Sequence, residues 1–319
     1  MIKVSVIVPA YNTEKYLKKC LDSLVKQTLD DIEIIVINDC STDKTKDILE
    51  KYKRKYKNIK VINNKTNKGI GYNRNLGITK ASGKYIIFVD SDDYLDIDYA
   101  KKMYDYAELY NLDMVVCDIK KVNDNGEFIS YESDIKNFKT SNLINNPMLL
   151  LDINMGPANK LFASKLFKDK KARFAEKLKY EDIVLIPRLI MNSNSIGKIR
   201  NVYYNYVIHK NSETTTMNKK VFDILEIMNE VNRYMLECDY YNEIKEELEY
   251  LNIRTLLRYT LQQKNQKDKK IANKFIDDAF NFLNGEFPNW KKNKYFRKRN
   301  VLKRLIETSK LLTKIYVRI

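Results

Sequence analysis

The chain has 319 residues, 44% of them hydrophobic, with only 8 Gly and 5 Pro, which excludes a linker-rich or low-complexity protein and predicts one large α/β domain with a smaller appendage. Cys20, Cys40, Cys117 and Cys238 are scattered without a CxxC pair, so neither a zinc site nor a disulfide framework is expected, and a reducing compartment fits best. The formal net charge is +16, and residues 285–319 carry eleven Lys or Arg against two Glu, so more than half of the excess sits at the C-terminal end.

The opening "MIKVSVIVPAYN" enters a strand directly, with an apolar run too short for a signal sequence. No stretch of about 18 apolar residues follows, so the expectation is a cytoplasmic protein that does not span a membrane. "VSVIVPA" reads as a strand, "EKYLKKCLDSLVKQ" as an amphipathic helix and "IEIIVINDC" as a second strand. A helix over "TDKTKDILEKYKRKYK", a short strand "IKVINN", a helix starting near Gly71 and the strand "KYIIFVD" continue the alternation. Nearly continuous apolar strands between helices predict a doubly wound, mainly parallel sheet with helices on both faces.

"IDYAKKMYDYAELYN" then reads as a helix and "DMVVCDIKKV" as a strand. From about Asn123 to Phe162 the chain is polar and aromatic without sustained periodicity, and loops with short elements that shape a pocket are expected. "EDIVLIPRLIMNS" restores a helix and "VYYNYVIH" a strand. From about Lys219 the pattern is helical throughout, which divides the chain into residues 1–218 and a helical module over 219–319, with the boundary near Met217 to Lys220.

Ligands of open α/β sheets bind outside the carboxyl ends of the strands. Tyr11 and Asn12 follow the first strand, Asp39 ends the second, Asn73, Arg74 and Asn75 open the next helix, and Asp90, Asp92 and Asp93 close "KYIIFVDSDDYL". The Asp90-Ser91-Asp92 run suits a hard divalent cation such as Mg or Mn. It equally suits a solvated turn whose aspartates cap a helix.

Six blocks follow one another in order: "VSVIVPAYNTEKYLKKCLDSLVKQT", "EIIVINDCSTDKT", "NKGIGYNRNLGITKASGKYIIFVDSDDYL", "NKLFASKLF", "KYEDI" and "YYNYVIHKNS". In them the chain resembles the family-2 inverting glycosyltransferases of the GT-A fold, over about residues 2–215. The resemblance implies transfer of a sugar from a nucleoside-diphosphate sugar, typically a UDP-sugar, to a hydroxyl of a glycan, lipid-linked or polymer acceptor in cell-surface polysaccharide synthesis. It further implies that Pro9, Ala10 and Tyr11 line the base pocket, with Tyr11 able to stack, that Glu14 borders it, and that Asp39 hydrogen-bonds the base. Arg74 would reach the nucleotide or its diphosphate.

By the same resemblance Asp90 and Ser91 face the donor, and Asp90 contacts the ribose or a metal-bound water. Asp92 would ligate the Mn or Mg ion that offsets charge on the departing diphosphate, with Asp93 in support. Asp182 is the implied general base and Glu181 the neighbour that positions or shares the acceptor. His209, the only histidine, would complete the metal or diphosphate site, and Lys160 would touch diphosphate or acceptor. Cys40, Asn73 and Ala158 stand where the family usually has Gly, Ala and Trp.

The tail "WKKNKYFRKRNVLKRLIETSKLLTKIYVRI" mixes cations with Trp290, Tyr295, Phe296, Leu302, Leu305, Leu311, Leu312 and Ile315. It reads either as a basic amphipathic surface for an anionic membrane, placing the protein on the inner face of the cell membrane, or as the solvated side of a helical bundle. The helical module also offers a surface for a homo-oligomer. Lys and Arg clusters bind any polyanion, but no reader motif accompanies them and nucleic acid is not expected. A nucleotidyltransferase and a non-enzymatic membrane-surface scaffold are the alternative functions; the lack of a Gly-rich phosphate loop after the first strand counts against the former.

Overall fold

Strand β1 (Val4–Ala10) is buried along its whole length. Its even-numbered Val4, Val6 and Val8 pack into one hydrophobic cluster and Ile7 into another. Successive side chains point to opposite faces, so a strand that is apolar on both needs helices on both. The computed structural model describes residues 1–133, 140–209 and 219–318.

After β1 come α1 (Leu17–Val25), β2 (Ile32–Asn38), α2 (Thr45–Lys55), β3 (Ile59–Asn63), α3 (Ile70–Lys80) and β4 (Tyr85–Phe88). β1 pairs in parallel with β2 and β4, and β2 with β3, which is the doubly wound half that the sequence predicts. A two-residue β5 (Tyr94–Leu95), α4 (Tyr99–Tyr110), β6 (Met114–Asn123), β7 (Phe128–Glu132), α5 (Leu149–Asp152), β8 (Lys160–Ala163), α6 (Glu181–Asn192) and β9 (Ile196–Ile208) follow. Among the described residues the sheet runs β3-β2-β1-β4-β8-β6-β9-β5, with β7 added to β6. β8 is antiparallel to β4 and β6, whereas β6 and β9 are parallel.

Two elements differ from the sequence expectation. The stretch expected to be loops and short elements ends in β8, a central strand whose four residues are all buried. Four residues are too few for a period to register. The strand expected from Val202 begins instead at Ile196; its polar middle, with Asn201 at φ 57°, marks a register shift against β6 and masks the first half.

The C-terminal part comprises α7 (Asp223–Leu236), α8 (Tyr241–Gln262), α9 (Lys269–Glu286), α10 (Lys294–Arg297), α11 (Val301–Thr308) and α12 (Lys310–Arg318). Asp268 caps α9 by accepting from the Lys270 and Ile271 amides, which satisfies two donors that a helix start otherwise leaves orphaned. One hydrophobic cluster runs from Ile7 and Phe88 on the sheet through Leu185 and Leu189 of α6 to Leu251, Phe275, Trp290 and Phe296. The boundary expected near Met217 to Lys220, and the end of the block "YYNYVIHKNS", lie largely outside the described residues. Trp290 and Phe296 are fully buried, so the aromatic start of the basic tail is bundle core. Among the described residues no helix is long and apolar enough to cross a membrane.

Candidate functional site

The carboxyl ends of β1, β2 and β4 lead into the predicted site. Pro9 and Ala10 are buried and Tyr11, just beyond, is 48% exposed. Asn12 Oδ1 accepts the Thr42 amide at 2.8 Å. The Glu14 carboxylate accepts the Lys44 amide at 2.8 Å while Asp43 accepts the Glu14 amide at 3.0 Å, so the loops after β1 and β2 brace one another. Cys40 has φ 60°; the position where the family usually has Gly is left-handed, which explains the family preference. Asp39 is buried and accepts from Asn64 Nδ2 and from the Lys68 and Gly69 amides, each at 2.8 Å. It therefore fixes the loop that leads into α3.

Arg74 on α3 is buried. Its Nη2 donates to Asp90 Oδ1 at 2.7 Å and its Nη1 to Glu181 Oε1 at 2.6 Å. The Phe174 ring centroid lies 5.2 Å from the guanidinium carbon, a cation–π contact strengthened by exclusion of water. Burial alone would lower the guanidinium pKa, but Asp90, Glu181 and Asp182 together raise it, and the cation is permanent. The segment carrying Phe174 is pinned to α3: Asn75 donates to Phe174 O at 2.9 Å and accepts the Phe174 amide at 2.9 Å. A Cβ at Gly71 would lie 2.1 Å from the Ala175 carbonyl oxygen, so only glycine permits this approach.

The aspartates after β4 face different ways. Asp93 is buried, accepting Tyr204 Oη–H at 2.7 Å and the Val207 amide at 2.8 Å. The same Tyr204 oxygen accepts the Asp90 amide at 3.0 Å, which ties the β4–β5 turn to β9. Burial first, then Asp92 and Asp90, push the Asp93 pKa well up. Ser91 is buried within the turn. Asp92 Oδ2 lies 2.8 Å from His209 Nε2, and the imidazole stacks on Tyr16 with centroids 4.8 Å apart. Burial and Asp90 raise the Asp92 pKa, while His209 opposes them.

Among the described residues no three His, Cys, Asp or Glu side chains converge into a preformed metal cage. Asp92 and His209 nevertheless offer an adjacent oxygen and nitrogen, and among the described residues the buried His209 Nδ1 has no hydrogen-bond partner. That pair fits an open site for Mn or Mg, which characteristically keeps waters and takes substrate phosphates as its remaining ligands.

Glu181 and Asp182 open α6 after Tyr180, whose φ of 69° turns the chain sharply. The Tyr180 ring is held against Tyr259 of α8 at 4.7 Å. Glu181 is engaged by Arg74, whereas half-buried Asp182 accepts the Ile183 amide at 3.0 Å. Burial raises both pKa values; Asp182 adds to the effect on Glu181, and Arg74 opposes it at both. Helix starts stabilise carboxylates, and here burial works against that.

The structure thus joins Arg74, Asp90 and Glu181 in one network next to Asp182, and Asp92 with His209 in another. Lys160 is fully buried in β8, and its Nζ donates to Gly156 O at 2.8 Å and Asn159 Oδ1 at 2.9 Å, which braces its own turn. Tyr204, Tyr16, Phe174 and Tyr259 shape the site and were not foreseen from sequence. Among them only the alternation of β9, which points Tyr204 to the buried side, carried a signal.

The chain matches the model of glycosyl transferase family 2 over residues 5–169. It is 34% identical over 220 residues to the poly(ribitol-phosphate) beta-glucosyltransferase of Bacillus spizizenii, covering 66% of this chain and 33% of that protein. It is 32% identical over 259 residues to the poly(ribitol-phosphate) beta-N-acetylglucosaminyltransferase TarS of Staphylococcus aureus, covering 79% of this chain and 44% of that protein. The chain therefore spans less than half the length of these two curated relatives. The crystal structure of S. aureus TarS 1-349 in complex with UDP-GlcNAc aligns with a TM-score of 0.79 at 25% identity, over 99% of this chain and 90% of that one. The architecture is the GT-A arrangement expected from the sequence, and, with just over half of its 319 residues matched by the family model, the chain belongs to glycosyl transferase family 2.

Proposed function

We propose that this chain is an inverting glycosyltransferase that moves a sugar from a UDP-sugar to a hydroxyl of a polymer acceptor in cell-surface polysaccharide synthesis. The observation that supports the reading is the Arg74 bridge, in which one guanidinium lies 2.7 Å from Asp90 and 2.6 Å from Glu181, the residues that this reading assigns to the donor and to the acceptor. Relatives named as poly(ribitol-phosphate) glycosyltransferases, and the likeness to TarS with UDP-GlcNAc, support the donor and acceptor classes.

Tyr11 stacks on the base, between the buried wall of Pro9 and Ala10 and the loop that Asp39 and Glu14 hold in place. Asp182 removes the proton of the acceptor hydroxyl as that oxygen attacks the anomeric carbon from the side opposite the diphosphate, which inverts the configuration. Glu181, fixed by Arg74, orients the acceptor. Asp92 and His209, with Asp90 and Ser91 beside them, would hold a Mn or Mg ion, whose contribution is to offset charge on the leaving nucleoside diphosphate.

The test is incubation with a panel of UDP-sugars, Mn and poly(ribitol-phosphate) or lipid-linked acceptors, with mass detection of product. Asp182→Asn is expected to keep donor affinity and lose transfer by on the order of 10²-fold or more, and Asp92→Asn to weaken Mn-dependent donor binding. Unchanged transfer by the Asp182 variant removes it as base. Release of a sugar 1-phosphate in place of a nucleoside diphosphate overturns the reading in favour of nucleotidyl transfer.

A further inference from the structure

The outer surface of α11 and α12 is apolar where a bundle surface is ordinarily polar. Val301, Leu305, Leu311, Leu312, Ile315 and Tyr316 are all exposed, Leu311 at 68%. The inward side of α12 is set by its contacts: Thr313 and Val317 are buried, and Lys310 and Lys314 reach Asp277 of α9 at 3.2 and 2.7 Å. At 3.6 residues per turn, Leu311, Leu312, Ile315 and Tyr316 then occupy the opposite side of the helix, with Arg318 as the one cation among them. Val301 and Leu305, one turn apart on α11, are exposed as well. An exposed patch of this kind marks a contact site.

The rim of this face is basic. Lys264 stands over the Tyr316 ring at 5.5 Å, and Lys269 Nζ approaches the Val317 carbonyl at 3.4 Å. Lys303 is exposed and Arg304 half-buried on α11. The sole carboxylate in residues 297–318 is Glu307, which is buried and lies 3.0 Å from Arg299, so no negative side chain of that segment reaches its surface.

We propose that this face docks the protein peripherally on an anionic lipid bilayer. Leu311, Leu312 and Ile315 enter the boundary between headgroups and acyl chains, while the surrounding Lys and Arg meet headgroup phosphates. A second copy of the chain is the other natural occupant of an apolar face. Two-fold pairing would, however, bring the same basic rim against itself, and like charges facing each other disfavour association. The buried Trp290 and Phe296 have no part in docking, which confines it to the last two helices. The inference stands whether or not the glycosyl-transfer reading holds.

The experiment is co-sedimentation of the full chain with phosphatidylcholine vesicles, with and without phosphatidylglycerol, at low and high salt. Binding is expected only to the anionic vesicles and to weaken as salt rises. The double variant Leu311→Glu with Ile315→Glu is expected to lower partitioning roughly tenfold or more with an unchanged thermal midpoint. A second variant, Lys264→Gln with Lys303→Gln, removes two cations of the rim and is expected to weaken binding to the anionic vesicles. Absence of wild-type binding to anionic vesicles, equal binding to neutral ones, or no effect of the lysine pair overturns the proposal. So does a concentration-dependent dimer that the Leu311/Ile315 variant dissociates while vesicles capture nothing, since the face would then be a contact between copies.

Discussion

Arg74 and Glu181 lie 107 positions apart in the chain and 2.6 Å apart in the fold, both buried. Removing the guanidinium would leave Glu181 as an uncompensated buried carboxylate and half-buried Asp90 without its partner. Arg74→Met is therefore expected to cost about 3–5 kcal/mol of stability, with transfer falling on the order of 10²-fold. Arg74→Lys offers a single point charge where a planar fork serves two acceptors, and intermediate losses are expected. Urea unfolding and single-turnover transfer measure the two effects; an unchanged urea midpoint in the Met variant would refute the bridge.

The carboxyl groups of buried Glu181 and half-buried Asp182 both titrate above their ordinary range, with desolvation the first cause at each. A base must be ionised to act, and a raised pKa postpones ionisation, so the rate is expected to climb with pH through a limb above the unperturbed carboxylate value of about 4. Asp182→Asn removes the limb along with the activity. A single-turnover pH profile already level at about pH 4 contradicts the assignment.

Glu33 anchors the opposite end of the sheet, where it accepts from Ser5 Oγ at 2.5 Å, from Lys60 Nζ at 2.7 Å and from the Ser82 amide and hydroxyl at 2.7 Å. Burial would raise its pKa, but Lys60, Ser5 and Ser82 outweigh burial and hold it down at about 2. With the unfolded value near 4.3, the stabilisation is complete above about pH 4.3 and is lost as pH falls toward about 2. Unfolding free energy is expected to drop by about 2–3 kcal/mol across that window, and Glu33→Gln to flatten the drop. Chemical denaturation at stepped pH reads this directly, and an equal slope in the variant would show that other groups dominate.

Cys40 adopts a left-handed backbone at φ 60°, with its Sγ 3.5 Å from the Lys65 carbonyl oxygen. The conformation costs a side-chain-bearing residue about 1–2 kcal/mol, of which glycine's greater unfolded freedom offsets part. Cys40→Gly is expected to raise stability by about 0.5–1 kcal/mol, whereas Cys40→Ala, which keeps the strain and loses the sulfur contact, is expected to gain nothing. A lower urea midpoint for the glycine variant would mean that the sulfur contact outweighs the strain.

Much of the fold was legible because β1, β2 and β4 are apolar runs separated by segments of helical period, and such runs admit few arrangements other than a covered parallel sheet. β8 was not legible: Lys160 opens the strand, leaving an apolar run of only three residues, and looks like a surface residue until its ammonium is found engaged by Gly156 and Asn159 inside the turn. The convergence of Asp39, Arg74 and Asp90–Asp93 on one sheet edge followed from their places at strand ends. Their individual orientations did not, since Asp93 is turned inward by Tyr204, 111 positions away, and Asp92 outward by a histidine 117 positions away. Local pattern carries no information on partners at that distance.

The hydrophobic cluster that begins at Ile7 and ends at Val317 has a bearing on how this chain can be re-engineered. Exchanging residues 219–318 for the helices of another protein would strip the outer covering from α6, the helix whose first residues are Glu181 and Asp182. The C-terminal helices are thus no interchangeable cassette, and acceptor preference would have to be recoded by point substitutions around an intact bundle.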